Sequence, residues 1–269
     1  MNPGGLDISL WGRCLYIETL DLATGPSSRP VLVFLHEGLG SAASWKAIPE
    51  TLGRQTRCPV FSYSRPGYGS SCGITLPRKI NYLHTEALTL LPKVLEAARI
   101  DRYILIGHSD GGSISLIHGG RPADRSGTKT RHKGLKGIIT LAAHLFCEDI
   151  TQKGVKEAKA RYETGDLKAR LKQIHGSNTH TAFWGWNQTW LAPGFRHWNI
   201  EKYLKHIPVP VLGIQGVDDP FATLAQLDAM ESGIADCCTA TIEACGHIPH
   251  FEQPETTLSM MADFIKDIV

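Results

Sequence analysis

The sequence predicts an α/β protein built on a mostly parallel, doubly wound sheet. Three observations carry that prediction. Apolar runs of strand length alternate with helical patterns along most of the chain. The best of those runs, such as Pro210 to Gly216, are bounded by proline and glycine and read as buried parallel strands. Finally, the residues able to do chemistry fall just past the C-terminal ends of the runs, where open α/β sheets bind their ligands.

A short β-rich start from Ile8 to Leu20 comes first. Strands are then predicted near 31–36, 59–64, 103–108, 136–142, 210–215 and 239–244, with helices near 42–54, 80–98, 112–118, 221–231 and 255–268. Between Leu145 and Ile207 the alternation stops and polar helical stretches take over. Ile150 to Ile174 is rich in Lys and Glu, with Val155, Ala158, Tyr162, Leu167 and Leu171 as apolar positions suited to helices lying over a sheet edge. The second half holds Trp184, Trp186, Trp190 and Trp198 of the chain's six tryptophans, with Phe183 and Phe195. No internal repeat or low-complexity segment interrupts the chain.

At 269 residues, with 42% hydrophobic and 20% charged residues, the chain can bury one large core. A formal net charge of +2 argues against a nucleic-acid partner or an anionic membrane surface. The basic stretch from Arg121 to Lys136 is interspersed with glycine and reads as a solvated loop. Seven scattered cysteines without a Cys-x-x-Cys pair suggest reduced thiols in a cytoplasmic protein. No basic start followed by an apolar stretch marks a secretory signal, and no run reaches the roughly 18 apolar residues of a membrane span. No two of the twelve histidines have a supporting carboxylate at metal-ligand spacing, so neither metal nor other cofactor is expected. A homodimer is left open.

The strand Arg102 to Ile106 runs directly into Gly107-His108-Ser109-Asp110-Gly111 and then into a helical pattern. The flanking glycines allow a turn sharp enough to project the Ser109 hydroxyl from the strand end, at the mouth of a helix whose dipole favours negative charge. A serine hydroxyl is a weak nucleophile at neutral pH. An imidazole must take its proton, and a buried carboxylate must orient that imidazole. The chain supplies both downstream: Val217-Asp218-Asp219-Pro220 ends one strand, and Gly246-His247 follows another.

Taken together these motifs resemble the α/β-hydrolase family from about residue 30 to the C-terminus. Val31 to Gly40 resembles the family's strand and oxyanion loop, Ser64 to Ser71 its next strand-end loop, and Gly246-His247 with Glu252 and Pro254 its histidine loop. The resemblance implies an α/β-hydrolase fold with core residues 1–144 and 208–269. It places a helical cap, 145–207, after the sixth strand. It implies Ser109, Asp219 and His247 as the catalytic residues, the family's usual spacing from glycine selecting Asp219 over Asp218. Backbone N–H groups of Gly38 and Asp110 would form the oxyanion hole. Glu37 departs from the family, standing where glycine is usual; its charge either opposes the oxyanion or turns away to brace the loop.

Candidate substrate-binding residues are Glu37, His144, Trp184, Trp186 and Trp190, an aromatic roof that would exclude water and favour a hydrophobic or aromatic small molecule. Any one of these tryptophans could instead pack the roof onto the core. His36 and His108 are expected to orient loops, His180 or His197 could touch substrate, and His250 is the rival general base. The expected activity is that of a carboxylic ester hydrolase, cleaving an ester, thioester or lactone through an acyl-enzyme. A carbon–carbon bond hydrolase of an aromatic-degradation intermediate and a slow-turnover small-molecule receptor remain as alternatives on the same fold.

Overall fold

The central apolar runs become strands because they can bury both faces. In Val31–Leu35, Leu32 and Phe34 join one hydrophobic cluster while Val33 and Leu35 join another; in Tyr103–His108, Ile104 and Ile106 divide from Leu105 in the same way. The structure, a computed structural model, describes residues 8–10, 13–20, 29–121 and 134–269. Residues 122–133, which carry most of the basic stretch between Arg121 and Lys136, lie outside the described residues, as do residues 1–7.

The described strands are β1 (Ile8–Leu10), β2 (Arg13–Leu15), β3 (Ile17–Leu20), β4 (Val31–Leu35), β5 (Val60–Tyr63), β6 (Tyr103–His108), β7 (Leu135–Leu141), β8 (Val211–Gly216) and β9 (Cys237–Ile242). β1 and β2 pair antiparallel with each other. The other seven form one sheet in the order β3-β5-β4-β6-β7-β8-β9, parallel throughout except for β3 at the edge. All six predicted strands are present. The helical insert follows the seventh strand in chain order, not the sixth, because the N-terminal β-rich start divides into three short strands.

Before the insert come α1 (Ile48–Thr56), α2 (Tyr82–Thr85), α3 (Leu91–Ala97) and α4 (Asp110–Gly119). The predicted helix over 80–98 is interrupted by a π-helical turn at Glu86–Leu90. Pro92, in the first turn of α3, has no amide to continue an α-helical ladder and its ring crowds the carbonyl four residues back. The insert supplies α5 (Asp149–Thr164), α6 (Leu167–His175), α7 (Thr179–Trp190) and α8 (Glu201–Leu204). After it come α9 (Ala225–Gly233), α10 (Pro249–Glu252) and α11 (Pro254–Ile268). Residues of α1 and α11 pack in one cluster, and residues of α3, α4 and α9 in the other. No helix among the described residues is long and apolar enough to cross a membrane.

This topology fixes where a ligand can sit. The chain passes from β4 to β5 on one side, then crosses to β6 on the other, so strand order reverses between β4 and β6. A crevice opens at the C-terminal ends of strands at such a switch. The Gly38 loop leaves β4 there and Ser109 leaves β6 beside it.

Candidate active site

Ser109 joins β6 to α4 with φ of +52° and ψ of −115°, a backbone conformation rare for a residue with a side chain. The turn closes because its neighbours have no side chains. A Cβ on Gly107 would fall 2.2 Å from the Gly111 carbonyl oxygen, and one on Gly111 would fall 1.9 Å from that of Leu35. The Ser109 N–H continues the sheet by donating to Leu141 O at 2.8 Å, so the nucleophile is placed by β-ladder geometry. Its hydroxyl lies 3.0 Å from Nε2 of His247.

The second nitrogen of His247, Nδ1, lies 2.9 and 2.8 Å from the two carboxylate oxygens of Asp219. Asp218 is exposed whereas Asp219 is buried, and Asp219 also accepts the Phe221 N–H at 2.8 Å. Burial alone would raise the Asp219 carboxyl. The His247 ring and these hydrogen bonds outweigh it, holding the group below its ordinary value. Glu252 on α10 grips the histidine loop from both sides, accepting the Gly246 N–H at 2.7 Å and the Ile248 N–H at 2.8 Å. His108 donates from Nε2 to the His247 carbonyl at 2.7 Å, and its Nδ1 lies 3.6 Å from Glu37.

Beside the serine, the loop after β4 is braced from below. The Arg65 N–H donates to His36 Nε2 at 3.0 Å, His36 Nδ1 donates to Glu37 O at 2.8 Å, and Arg65 Nη2 donates to the same carbonyl at 2.8 Å. Burial, with the Arg65 charge, keeps His36 well below its ordinary pKa and therefore neutral. Asp110, next after the serine, is buried and accepts a 2.6 Å hydrogen bond from Tyr82 OH, which in turn accepts one of 2.9 Å from Trp190 Nε1.

Above these groups lies a cavity of about 240 Å³. Ser109, His247, Gly38 and His108 form its inner end, and side chains of α5, α6 and α7 line the rest. The profile of the alpha/beta hydrolase family matches residues 32–259.

The chain belongs to that family. It is 26% identical over 147 residues to a 2-succinyl-6-hydroxy-2,4-cyclohexadiene-1-carboxylate synthase of Serratia proteamaculans, covering 53% of this chain and 49% of the synthase. The chain thus spans about half the length of that curated relative. A proline iminopeptidase of Lactobacillus delbrueckii subsp. bulgaricus is 21% identical over 276 residues, covering 89% of this chain and 90% of the peptidase. Among solved structures, the enol-lactonase from Burkholderia xenovorans LB400 has a TM-score of 0.72 at 19% identity, over 97% of this chain and 99% of that one. At that identity the likeness is one of fold.

Within this α/β-hydrolase framework, Glu37, His144, Trp186 and Trp190 line the cavity, and Trp184 does not. Two residues from Trp186 along α7, Trp184 sits about 200° around the helix. There it packs edge-on against Tyr162 and Phe183 under Lys159. His180 and His197 are exposed and line no part of the cavity. His250 is buried against Trp45 and His108, away from the serine hydroxyl. Glu37 turns its carboxylate to His108 and onto Gly40, where a Cβ would meet it at 2.2 Å. His144 donates from Nε2 to Phe221 O at 3.2 Å, and burial, aided by the neighbouring His247 charge, lowers its pKa to about 4.

Sequence reading missed Phe221, Ile248, Thr151, Ile174, Arg161 and Arg170 as cavity residues. A signal for the last two was present. Arg161 lies three residues past Ala158 and Arg170 three past Leu167, continuing helical faces already identified as apolar.

Proposed function

We propose that this chain is a serine hydrolase that cleaves an ester, thioester or lactone of a small, largely hydrophobic substrate through an acyl-enzyme on Ser109. The observation that carries this reading is the unbroken chain of contacts from Ser109 Oγ through His247 to buried Asp219, at the inner end of a mostly apolar cavity. His247 Nε2 takes the hydroxyl proton as Oγ attacks the carbonyl, while Asp219 holds Nδ1–H and stabilises the imidazolium. The tetrahedral oxyanion is held by the N–H groups of Gly38 and Asp110. The latter is at the first position of α4, where an amide has no intrahelical acceptor. His247 then protonates the leaving group and activates the water that frees the acid. Residues 145–207 act as the lid that keeps bulk water from these steps.

A burst assay with p-nitrophenyl esters of increasing acyl length tests this. The unsubstituted chain is expected to show a burst followed by turnover. Ser109→Ala should lose about ten-thousandfold in rate while keeping its circular dichroism and melting profile. Undiminished turnover by Ser109→Ala would overturn the proposal.

A further inference from the structure

The cavity is charged differently at its two ends. Its lining on α5 is Thr151, Val155, Ala158 and Arg161, spaced by three or four residues and therefore on one helical face. Thr151 belongs to the inner end: its hydroxyl donates to Phe221 O at 2.6 Å, next to the carboxylate that holds His247. At 1.5 Å per residue, the Arg161 backbone lies about 15 Å further along the helix. On α6 the lining is Leu167, Arg170, Leu171 and Ile174, again a single face. Two guanidinium groups, one from the last turn of α5 and one from α6, thus line the cavity beyond a stretch of valine, alanine and leucine.

Arg161 has no carboxylate partner among the described residues, and Arg170 has only a loose, solvent-exposed one, Asp166 at 3.8 Å. Among the described residues, Glu37 is the one carboxylate lining the cavity; it sits at the opposite end, beside His108. Arg161 in the last turn of α5 also complements the helix dipole. That role needs no cavity and gives Arg170, in the middle of α6, no reason to line one.

We infer that the substrate carries a carboxylate at the end remote from its scissile carbonyl, received by Arg161 and Arg170. The apolar stretch then holds the connecting hydrocarbon chain, and the guanidinium groups select against neutral analogues and set how deeply the chain is drawn in. This rests on the hydrolase reading for what happens at Ser109, and adds which substrate is presented to it.

Binding separates the two claims. The Ser109→Ala protein is titrated by calorimetry with methyl monoesters of dicarboxylic acids from succinate to suberate, which place the anion on the acyl part. A second series of acetate esters of ω-hydroxy acids places it on the leaving part. The corresponding dimethyl esters, or methyl-capped acetates, serve as neutral controls. One anionic series is expected to bind about tenfold more tightly than its neutral control. The ratio should narrow with added salt, fall toward one in Arg161→Gln/Arg170→Gln, and persist in Lys156→Gln, which removes a positive charge from α5 outside the cavity. Equal affinity of anionic and neutral esters, a preference that survives the double substitution, or no detectable binding of either series would overturn the inference. Cleavage of the same esters by the unsubstituted chain is scored separately. A charge preference without cleavage would sink the hydrolase reading and leave the anion site standing; cleavage without preference would do the reverse.

Discussion

The inner and outer parts of the cavity are held in place by different means. At the inner end, position is set by backbone: Ser109 hangs on the β6–β7 ladder, its turn closes on two glycines, and the loop carrying Gly38 is braced by His36 and buried Arg65. At the outer end, position is set by side chains on α5, α6 and α7, many of them apolar and two of them exposed arginines. One methyl group at Gly111 collides with the sheet, whereas a whole side chain at Arg170 can change with solvent taking its place. The difference teaches where each property of the protein resides. On the proposed reading, reaction type is locked to the sheet and substrate choice is left to a helical insert that can vary without disturbing it.

The largest expected effect breaks the inner end. Gly111→Ala puts a Cβ 1.9 Å from Leu35 O, a backbone atom of β4 that cannot move without disturbing the sheet. Stability should fall by about 3 kcal/mol, with loss of the proposed hydrolase turnover in whatever remains folded. Chemical denaturation and turnover measured on the same sample check this. A variant that melts and turns over like the parent would show that the inner end is not fixed by backbone packing.

A substitution in the roof should act differently. Trp186 lies over Gly38, so close that a Cβ there would be 2.4 Å from its indole ring. Trp186→Leu shortens the wall while leaving the Ser109–His247–Asp219 contacts alone. On the proposed reading the ring contributes binding shared by ground and transition states, so KM should rise about tenfold while kcat changes less than about threefold. Steady-state kinetics on the best p-nitrophenyl ester separates the two constants. A fall in kcat with KM unchanged would mean that Trp186 acts on the oxyanion loop rather than on substrate.

The inner end was the more legible from sequence for the same reason that it is the more rigid. Glycine, serine, acid and histidine at strand ends are local patterns, and a parallel sheet brings such ends together whatever lies between. Asp219 could be preferred over Asp218 only through the family's spacing; the fold supplies the physical difference, burial of one and exposure of the other. The sequence reads as helical across the roof, with Val155, Ala158, Leu167 and Leu171 marked by their periodicity. Periodicity gives a helix face but not the neighbour it meets, so it groups Trp184 with Trp186 although they lie on different sides of α7. Arg161 and Arg170 escape it because charged residues on a lysine-rich helix read as solvated.

Glu37 sharpens the comparison most finely, since it lies at the inner end yet is held by a side chain. Burial would raise its carboxyl, but the approach of the His108 ring, 3.6 Å away, holds it down to about 2 from an ordinary 4.5. A carboxyl depressed in the folded state contributes stability in full above its unfolded value and loses it as pH falls toward the folded one. Glu37→Gln should therefore be less stable than the parent at pH 7, by about 1 to 2 kcal/mol. This is less than the full linkage value, because the side chain is 28% exposed and its interactions are partly screened. The gap should close between about pH 4.5 and 2, where the parent alone loses this contribution. Urea denaturation of both proteins across that range, compared as a difference so that other carboxyls cancel, measures it. A gap that stays constant with pH would mean that Glu37 holds the loop through its shape against Gly40 rather than through its charge on His108.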